Sequence, residues 1–206
     1  MSAGLGGAIL FLLGGALVSR ATGLLRDTVI AAVFGATAST DTFWMALTVT
    51  DLVRDVVGGV IVASAFIPVL SEYLVTRPPR DAARLGSGIL TLSAAVLLVL
   101  AAALWCAAPV CARLLGPGFP PEQQRALAHL LQALMPALVG LGFAAVQIAV
   151  LNAYSSFGLP AAVPALANLG LIAGALAGGA RWGPMSLVAG LTLGAYQGRW
   201  RDIRGE

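Results

Sequence analysis

The sequence has few charged residues and no lysine. Only 10% of its 206 residues are charged, and all twelve basic residues are arginine. About a quarter of the residues of a soluble domain are charged, so this chain has too few charges to cover a surface that faces water. The hydrophobic fraction is 59% and the mean hydropathy is +0.91. Together these values exclude a soluble enzyme and a disordered chain, and they indicate an integral membrane protein.

Cysteine and histidine are also scarce, which limits metal and redox chemistry. Cys106 and Cys111 lie in apolar sequence at a spacing that matches no metal motif, so we interpret them as small buried thiols of a membrane helix. His129 has no ligand partner at helical spacing. The sequence contains no phosphate-binding glycine loop, nucleophile triad or pair of catalytic carboxylates. We therefore predict that the chain is not an enzyme and carries no cofactor and no metal.

Long apolar stretches are what the sequence does contain. They run without alternation, as at 89–112 and 159–180, which predicts membrane-spanning helices and not the strands of a barrel. All four tryptophans fall within a few residues of a proposed helix end, as interfacial aromatic residues do. We predict an all-α integral membrane protein of about six transmembrane helices. The predicted segments are 4–34, 42–72, 86–112, 126–151, 159–180 and 183–198.

The arginines outside these segments predict the orientation. With the N-terminus inside, six of them face the cytoplasm and three face the opposite side, which favours cytoplasmic positions for both termini. The arginines are scattered and form no basic run, so nucleic acid is not an expected partner. Residues 1–7 lack the basic start of a secretory signal peptide, and we interpret the first segment as a retained helix.

Glycines recur every four residues in the last two segments. One row is Gly170, Gly174 and Gly178, and the other is Gly190, Gly194 and Gly198. Such rows let helix backbones approach closely in lipid. Two interpretations are open, namely packing within one chain and a face for dimerisation.

Ionisable residues inside the first two segments are the most informative feature of the sequence. Each would cost roughly 2.5–3.5 kcal/mol at the centre of a membrane, so these side chains must face one another or water. They are Arg20, Arg26, Asp27, Asp51, Arg54 and Asp55.

The length of the second segment fixes where Arg54 lies. The thirty residues between Asp41 and Glu72 contain no turn signal. As a helix they would be about 45 Å long, whereas the hydrocarbon core is about 30 Å thick. We therefore place Arg54 near the middle of one long, tilted or bent helix, with Gly58-Gly59 available for the bend.

Two interpretations of the charges compete. In the first they form internal ion pairs, such as Asp51 with Arg54, or Asp27 with an arginine of the neighbouring helix. In the second they line a hydrated, cationic cavity that receives an anionic substrate. Arginine suits a diphosphate because its planar guanidinium presents a fork of donors.

Several motifs resemble those of a known family. Ser19 to Asp27 reads SRATGLLRD, and it is followed by FGA at 34–36, TDTF at 40–43, LVR at 52–54 and AFIPVLSEY at 65–73. This series closely resembles the opening of the MurJ (MviN) family, lipid II flippases of the multidrug/oligosaccharidyl-lipid/polysaccharide exporter superfamily. A second match, LNAY at 151–154 with Pro160, Pro164 and Asn168, resembles that family's connection between the fourth and fifth helices.

The resemblance implies a fold and a function. Family members have two six-helix lobes and two extra helices, and residues 1–198 would form the N-terminal lobe, followed by a short basic cytoplasmic tail at 199–206. The implied function is the flipping of lipid II across the cytoplasmic membrane of a bacterium by alternating access, in peptidoglycan synthesis and the maintenance of cell shape. The implied substrate-binding residues are Arg20, Arg26 and Arg54, and the implied acidic residues are Asp27 and Asp41. Asp51 and Asp55, next to Arg54 on the same helix, are predicted from the sequence itself as further supporting acidic residues.

The sequence also departs from the family pattern. Asp55 replaces a second basic residue, Gly58-Gly59 replaces a glutamate–glycine pair, and Thr50-Asp51 replaces a proline–asparagine pair. The chain is expected to lack the second lobe, so it would be a truncated product, one half of a two-chain transporter or a half that self-associates. The expected partners are lipid II, membrane lipids and a second-lobe chain or another copy. The alternative function is a non-transporting membrane scaffold or a degenerate paralogue in a wall-synthesis complex.

Overall fold

The structure is a computed structural model that describes residues 2–154 and 158–197. These residues form helices and short connections and include no strand, which confirms the predicted all-α class. The α-helices are α1 (Ser2–Phe34), α2 (Ala38–Asp55), α3 (Ile67–Thr76), α4 (Pro79–Leu115), α5 (Pro121–Ala133), α6 (Met135–Ala153), α7 (Gly158–Trp182) and α8 (Pro184–Gln197). A π-helical segment, Val56–Phe66, joins α2 to α3.

Two of these helices, α4 and α6, are long and apolar enough by themselves to cross a membrane. Shorter apolar helices cover Ser64–Thr76 and Pro184–Tyr196. The 37 residues of α4 begin at Pro79, seven residues before the predicted start. At about 1.5 Å per residue α4 is about 55 Å long, so it extends beyond a hydrocarbon core of about 30 Å.

The second predicted segment is helical throughout, but its winding changes. After the N-cap Thr37, α2 continues to Asp55, and 11 residues of π-helix follow before α-helical winding resumes at Ile67. Gly58-Gly59 lies inside the π-helical segment, where the sequence predicts a bend. Pro68 lies in the first turn of α3, directly after the π-helical segment, and has no N–H to donate to the preceding turn.

The fourth predicted segment is divided into two helices. α5 ends at Ala133 and α6 begins at Met135, with Leu134 between them. The physical reason is Pro136, which has no N–H to donate to the carbonyl four residues earlier. The Leu134 N–H still bonds the Leu130 carbonyl at 3.0 Å, so the two helices remain nearly continuous.

The glycine rows pack against each other within this chain. Gly183, with a φ of +54°, makes the turn between α7 and α8 and brings them side by side. A Cβ atom at Gly170 would overlap the Gly190 carbonyl oxygen, and one at Gly194 would lie 2.8 Å from the Leu166 carbonyl oxygen. Only glycine permits this backbone approach. Gly198 lies outside the described residues.

The largest apolar cluster joins α1 and α2 to α4 through α8. Ile30, Phe43, Leu127 and Leu171 are almost completely buried in it. Cys106 is exposed, whereas Cys111 is partly buried and packs against this cluster. The expectation of two buried thiols was therefore wrong for Cys106 and is met only in part by Cys111. Both lie on α4, whose outward side presents large apolar residues such as Leu98, Trp105 and Leu114.

Candidate functional site

A cavity of about 440 Å³ lies between α1, α2, α6, α7 and α8. Its α1 wall is formed by Ser19, Gly23 and Arg26, and its α2 wall by Leu47, Asp51 and Arg54. In each helix these residues are spaced by four and then three positions, which places them on one face. Two arginines and one aspartate line the cavity, so its formal charge is +1.

Arg26 is held by three groups around its guanidinium. Its Nε and Nη2 atoms both lie 2.8 Å from Asp27 Oδ1, and its Nη1 atom donates to Asn168 Oδ1 at 3.0 Å. The guanidinium carbon lies 5.2 Å from the centre of the Trp44 ring, within the range of a cation–π interaction. These contacts fix Arg26 on the wall of the cavity.

Arg54 lies between two carboxylates of its own helix. Its Nη1 atom is 2.8 Å from Asp51 Oδ1, and its Nε and Nη2 atoms donate to Asp55 Oδ1 at 3.0 and 2.9 Å. The Arg54 side chain is 30% exposed, whereas that of Asp55 is 66% exposed. Asp51 shares the cavity with Arg54, and Asp55 does not line it.

Asn168 of α7 is a buried amide that contacts both Arg26 and the backbone of α1. Its Nδ2 atom donates to the Ser19 carbonyl at 3.2 Å and to Thr22 Oγ1 at 3.1 Å. Asn168 as a whole is only 9% exposed. In the sequence, Asn168 is recognisable only as part of the motif that resembles a known family. Asn168 is the one amide in α7, which is apolar up to Arg181 in its last turn, and this isolated polar side chain is the signal that could have identified it as a site residue.

A second cavity of about 440 Å³ lies where α1 ends and α2 begins. Asp27, Asp41, Thr40 and Trp44 line it. Because Arg26 lines the first cavity and contacts both Asp27 and Trp44, the side chain of Arg26 lies between the two cavities.

The predicted site residues are therefore distributed over three places. Arg26, Asp51 and Arg54 meet in the first cavity, and Asp27 and Asp41 meet in the second. Arg20 is exposed on α1 and lines neither cavity, and it forms no ion pair with any residue that the structure describes. Asp55 reaches the site only through Arg54.

The structure contains ion pairs among these charges and a cavity beside them, and the binding of an anionic substrate there stays a prediction. The Asp51–Arg54 ion pair is present, and it lies on the wall of a cavity. Asp27 pairs with Arg26 of its own helix, however, and not with an arginine of a neighbouring helix. Within the described ranges, no three His, Cys, Asp or Glu side chains are grouped to hold a metal ion.

Comparison with known proteins gives consistent matches. Residues 30–197 match the family described as "Lipid II flippase MurJ". A relative from Burkholderia cenocepacia, "Lipid II flippase MurJ", is 35% identical over 178 residues, which cover 82% of this chain and 33% of that protein. A solved structure, "Lipid II flippase MurJ, inward closed conformation", matches with a TM-score of 0.76 and 25% identity, over 92% of this chain and 40% of that one. The chain thus spans about a third of the length of the curated relative that it matches.

Proposed function

The chain belongs to the MurJ lipid II flippase family, and from this premise we propose that it forms one lobe of a transporter for lipid II in the cytoplasmic membrane of a bacterium. We assign residues 1–198 to this lobe and a cytoplasmic position to the basic tail at 199–206, which lies outside the described residues. Both termini lie in the cytoplasm. The lobe binds and moves its substrate without chemical change, so its role is transport and not catalysis.

The observation that carries this proposal is the convergence of Arg26 and Arg54 on one cavity within a bundle of apolar helices. A guanidinium presents five N–H donors and suits the paired oxygens of a phosphate. The contacts described above engage three donors of each arginine, one each on Nε, Nη1 and Nη2. Each side chain therefore keeps donors for the diphosphate of a lipid-linked precursor.

The other predicted residues have supporting roles. Asp51, Asp27 and Asp55 hold the two arginines in place and partly neutralise them while no substrate is bound. Asp41 lies in the second cavity, which receives the sugar end of the head group. Arg20 lies about 9 Å along α1 from Arg26 and attracts the anionic head group before it enters the cavity.

Alternating access needs a second lobe that closes the cavity from the other side. The exposed side of α1 presents Leu17, Leu24 and Leu25 beside Arg20 and is the face that we assign to this contact. The second lobe is supplied by another chain, by a further part of a longer chain or by a second copy of this one.

Growth of a bacterium depleted of its own flippase tests the proposal. The chain is expressed alone, and then together with the remaining part of the Burkholderia cenocepacia relative. Restored growth in either arrangement is the expected result, and it should be lost with Arg54→Ala. Arg113→Ala, which changes an exposed arginine at the end of α4, is the matched control and should restore growth like the parent.

Protein levels are measured in the same cells, so that loss of the protein is not mistaken for loss of function. Failure of the parent chain in both arrangements, at normal protein level, would overturn the proposal. Growth that persists with Arg54→Ala and with Arg26→Ala would instead show that transport does not depend on these two arginines, whereas a non-transporting scaffold restores growth in neither arrangement.

A further inference from the structure

We infer that Asn168 is a positioning residue, which holds the Arg26 guanidinium at the cavity wall without neutralising its charge. This inference rests on the proposed function in one respect, because it assigns Arg26 to the binding of an anionic diphosphate. Its structural part, the placement of Arg26 by Asn168, stands on contacts between the two residues.

The contacts leave the Asn168 amide one orientation. Arginine only donates hydrogen bonds, so the atom that faces Arg26 Nη1 is the amide oxygen, 3.0 Å away. A backbone carbonyl only accepts, so the atom that faces the Ser19 oxygen is the amide nitrogen, 3.2 Å away. The two assignments agree, and the amide is satisfied on both sides.

Thr22 extends this network along α1. Its hydroxyl lies 2.9 Å from the carbonyl oxygens of Val18 and Ser19, so its proton is used within the helix. Its oxygen is therefore free to accept from Asn168 Nδ2 at 3.1 Å. Asn168 of α7 thus bonds to both ends of one turn of α1, Ser19 and Thr22, and also to Arg26.

The neutral amide is what suits this position to an anion site. Asp27 also binds Arg26, but its carboxylate neutralises the guanidinium and lies outside the first cavity. Asn168 lines the first cavity and offers an acceptor that carries no charge. The Arg26 side chain is fixed there while the cavity keeps its formal charge of +1.

Fluorescence of Trp44 tests the placement of Arg26 without any substrate. Trp105, Trp182 and Trp200 are changed to phenylalanine, so that the emission comes from Trp44, which lies 5.2 Å from the Arg26 guanidinium carbon. Arg26→Ala in this background defines the emission when the cation is absent. Asn168→Leu should shift the emission at least halfway to that value, because Arg26 loses the anchor on its Nη1 side.

Thr50→Val is the matched control. Thr50 is buried, its hydroxyl bonds only the Ala46 carbonyl of α2, and it does not line the cavity. This variant loses a buried hydrogen bond of the same bundle and should leave the Trp44 emission unchanged. An unchanged emission in folded Asn168→Leu would overturn the inference.

Binding of purified lipid II to the chain tests the functional part. Asn168→Leu should weaken binding about tenfold, as expected when a hydrogen bond to a charged group is lost. In an Arg26→Ala background the same change should have no further effect, because Asn168 acts through Arg26. Independent losses that add would overturn this part and leave Asn168 as a direct ligand or a packing residue.

Asn168→Asp tests the position of Arg26 separately from the charge of the cavity. Its carboxylate still accepts from Arg26 but can no longer donate to the Ser19 carbonyl or to Thr22. The Trp44 emission should therefore stay closer to that of the parent than in Asn168→Leu, while the cavity charge falls to zero and lipid II binding weakens. If the parent chain binds no lipid II, the proposed function fails, and the Trp44 measurements still decide whether Asn168 positions Arg26. Binding by Asn168→Asp equal to that of the parent would contradict the argument from charge.

Discussion

One carboxylate oxygen of Asp55 accepts hydrogen bonds from two nitrogen atoms of Arg54. Nε and Nη2 of Arg54 lie 3.0 and 2.9 Å from Asp55 Oδ1, while Nη1 lies 2.8 Å from Asp51 Oδ1. One arginine is thus paired with two aspartates, and this group of three carries a formal charge of −1. The charge that Arg54 offers to an anion is set by its neighbours on α2 as much as by Arg54 itself.

Asp55→Asn should strengthen lipid II binding. The change removes a negative charge beside Arg54 while keeping an acceptor for its donors. Asp55 is 66% exposed, so solvent screens the effect, and we expect an increase of about two- to fivefold that shrinks at high salt. Binding is measured at low and high salt, with Asp81→Asn at the distant α3–α4 end as control. Equal or weaker binding by Asp55→Asn would contradict the prediction.

Arg54→Lys should separate diphosphate binding from ion pairing. Lysine keeps the charge for Asp51 and Asp55 but loses the planar fork of donors. The variant should insert and accumulate normally while lipid II binding falls by about tenfold or more, the loss expected for a charge-assisted bidentate contact.

Arg54→Ala should reduce accumulation as well, because Asp51 and Asp55 lose their cation. Protein level and lipid II binding are measured for both variants, and Arg113→Lys serves as the control. Unchanged binding by the Lys variant would remove Arg54 from the substrate-binding residues.

Gly174→Ala should destabilise the α7–α8 pair. The new Cβ atom would overlap the carbonyl oxygen of Ser186, and neither backbone has room to move without disturbing the next glycine contact. We expect a loss of about 1–3 kcal/mol in the free energy of unfolding, the usual effect of overpacking. The readout is the thermal unfolding midpoint of the purified chain.

Gly88→Ala on α4 is the control, because a Cβ atom there meets no other atom within 4 Å. Alanine is the better helix former, so this variant should be as stable as the parent or slightly more stable. Equal midpoints for the two variants would show that close backbone packing of α7 and α8 does not limit stability.

Cysteine labelling should reveal the orientation. In a chain with Cys106→Ala and Cys111→Ala, single cysteines are placed by Arg80→Cys and Gly118→Cys, both at exposed positions. A membrane-impermeant maleimide should label position 118 in intact spheroplasts and position 80 only after the membrane is permeabilised. The reverse pattern would place both termini outside the cytoplasm.

The sequence predicted the features that follow from local spacing. The all-α class, the glycine rows and the Asp51–Arg54 ion pair are each visible in the sequence as a spacing of about one helical turn. The division at Leu134 could also have been predicted, because Pro136 is a helix breaker, but the apolar run around it favoured one continuous helix.

Other features depend on residues distant in sequence and could not be predicted from one helix at a time. Asn168 contacts Arg26 across 142 positions, and Trp44 packs on Arg26 from another helix. Asp27 pairs with Arg26 and not with an arginine of a neighbouring helix, and this outcome also depends on how the helices pack. The π-helical winding after Asp55 depends on hydrogen bonds that hydrophobic spacing does not encode.

The glycine contacts between α7 and α8 have a mechanical consequence. These two helices pack tightly, and α1 packs principally on α7, so Arg26 of α1 is supported mainly by α7 and through it by α8. α2 packs principally on α5, α6 and the π-helical segment, so Arg54 is supported by a different set of helices. Any relative shift of these two sets would change the distance between the two guanidinium groups, and the proposed binding of a diphosphate between them would change with it.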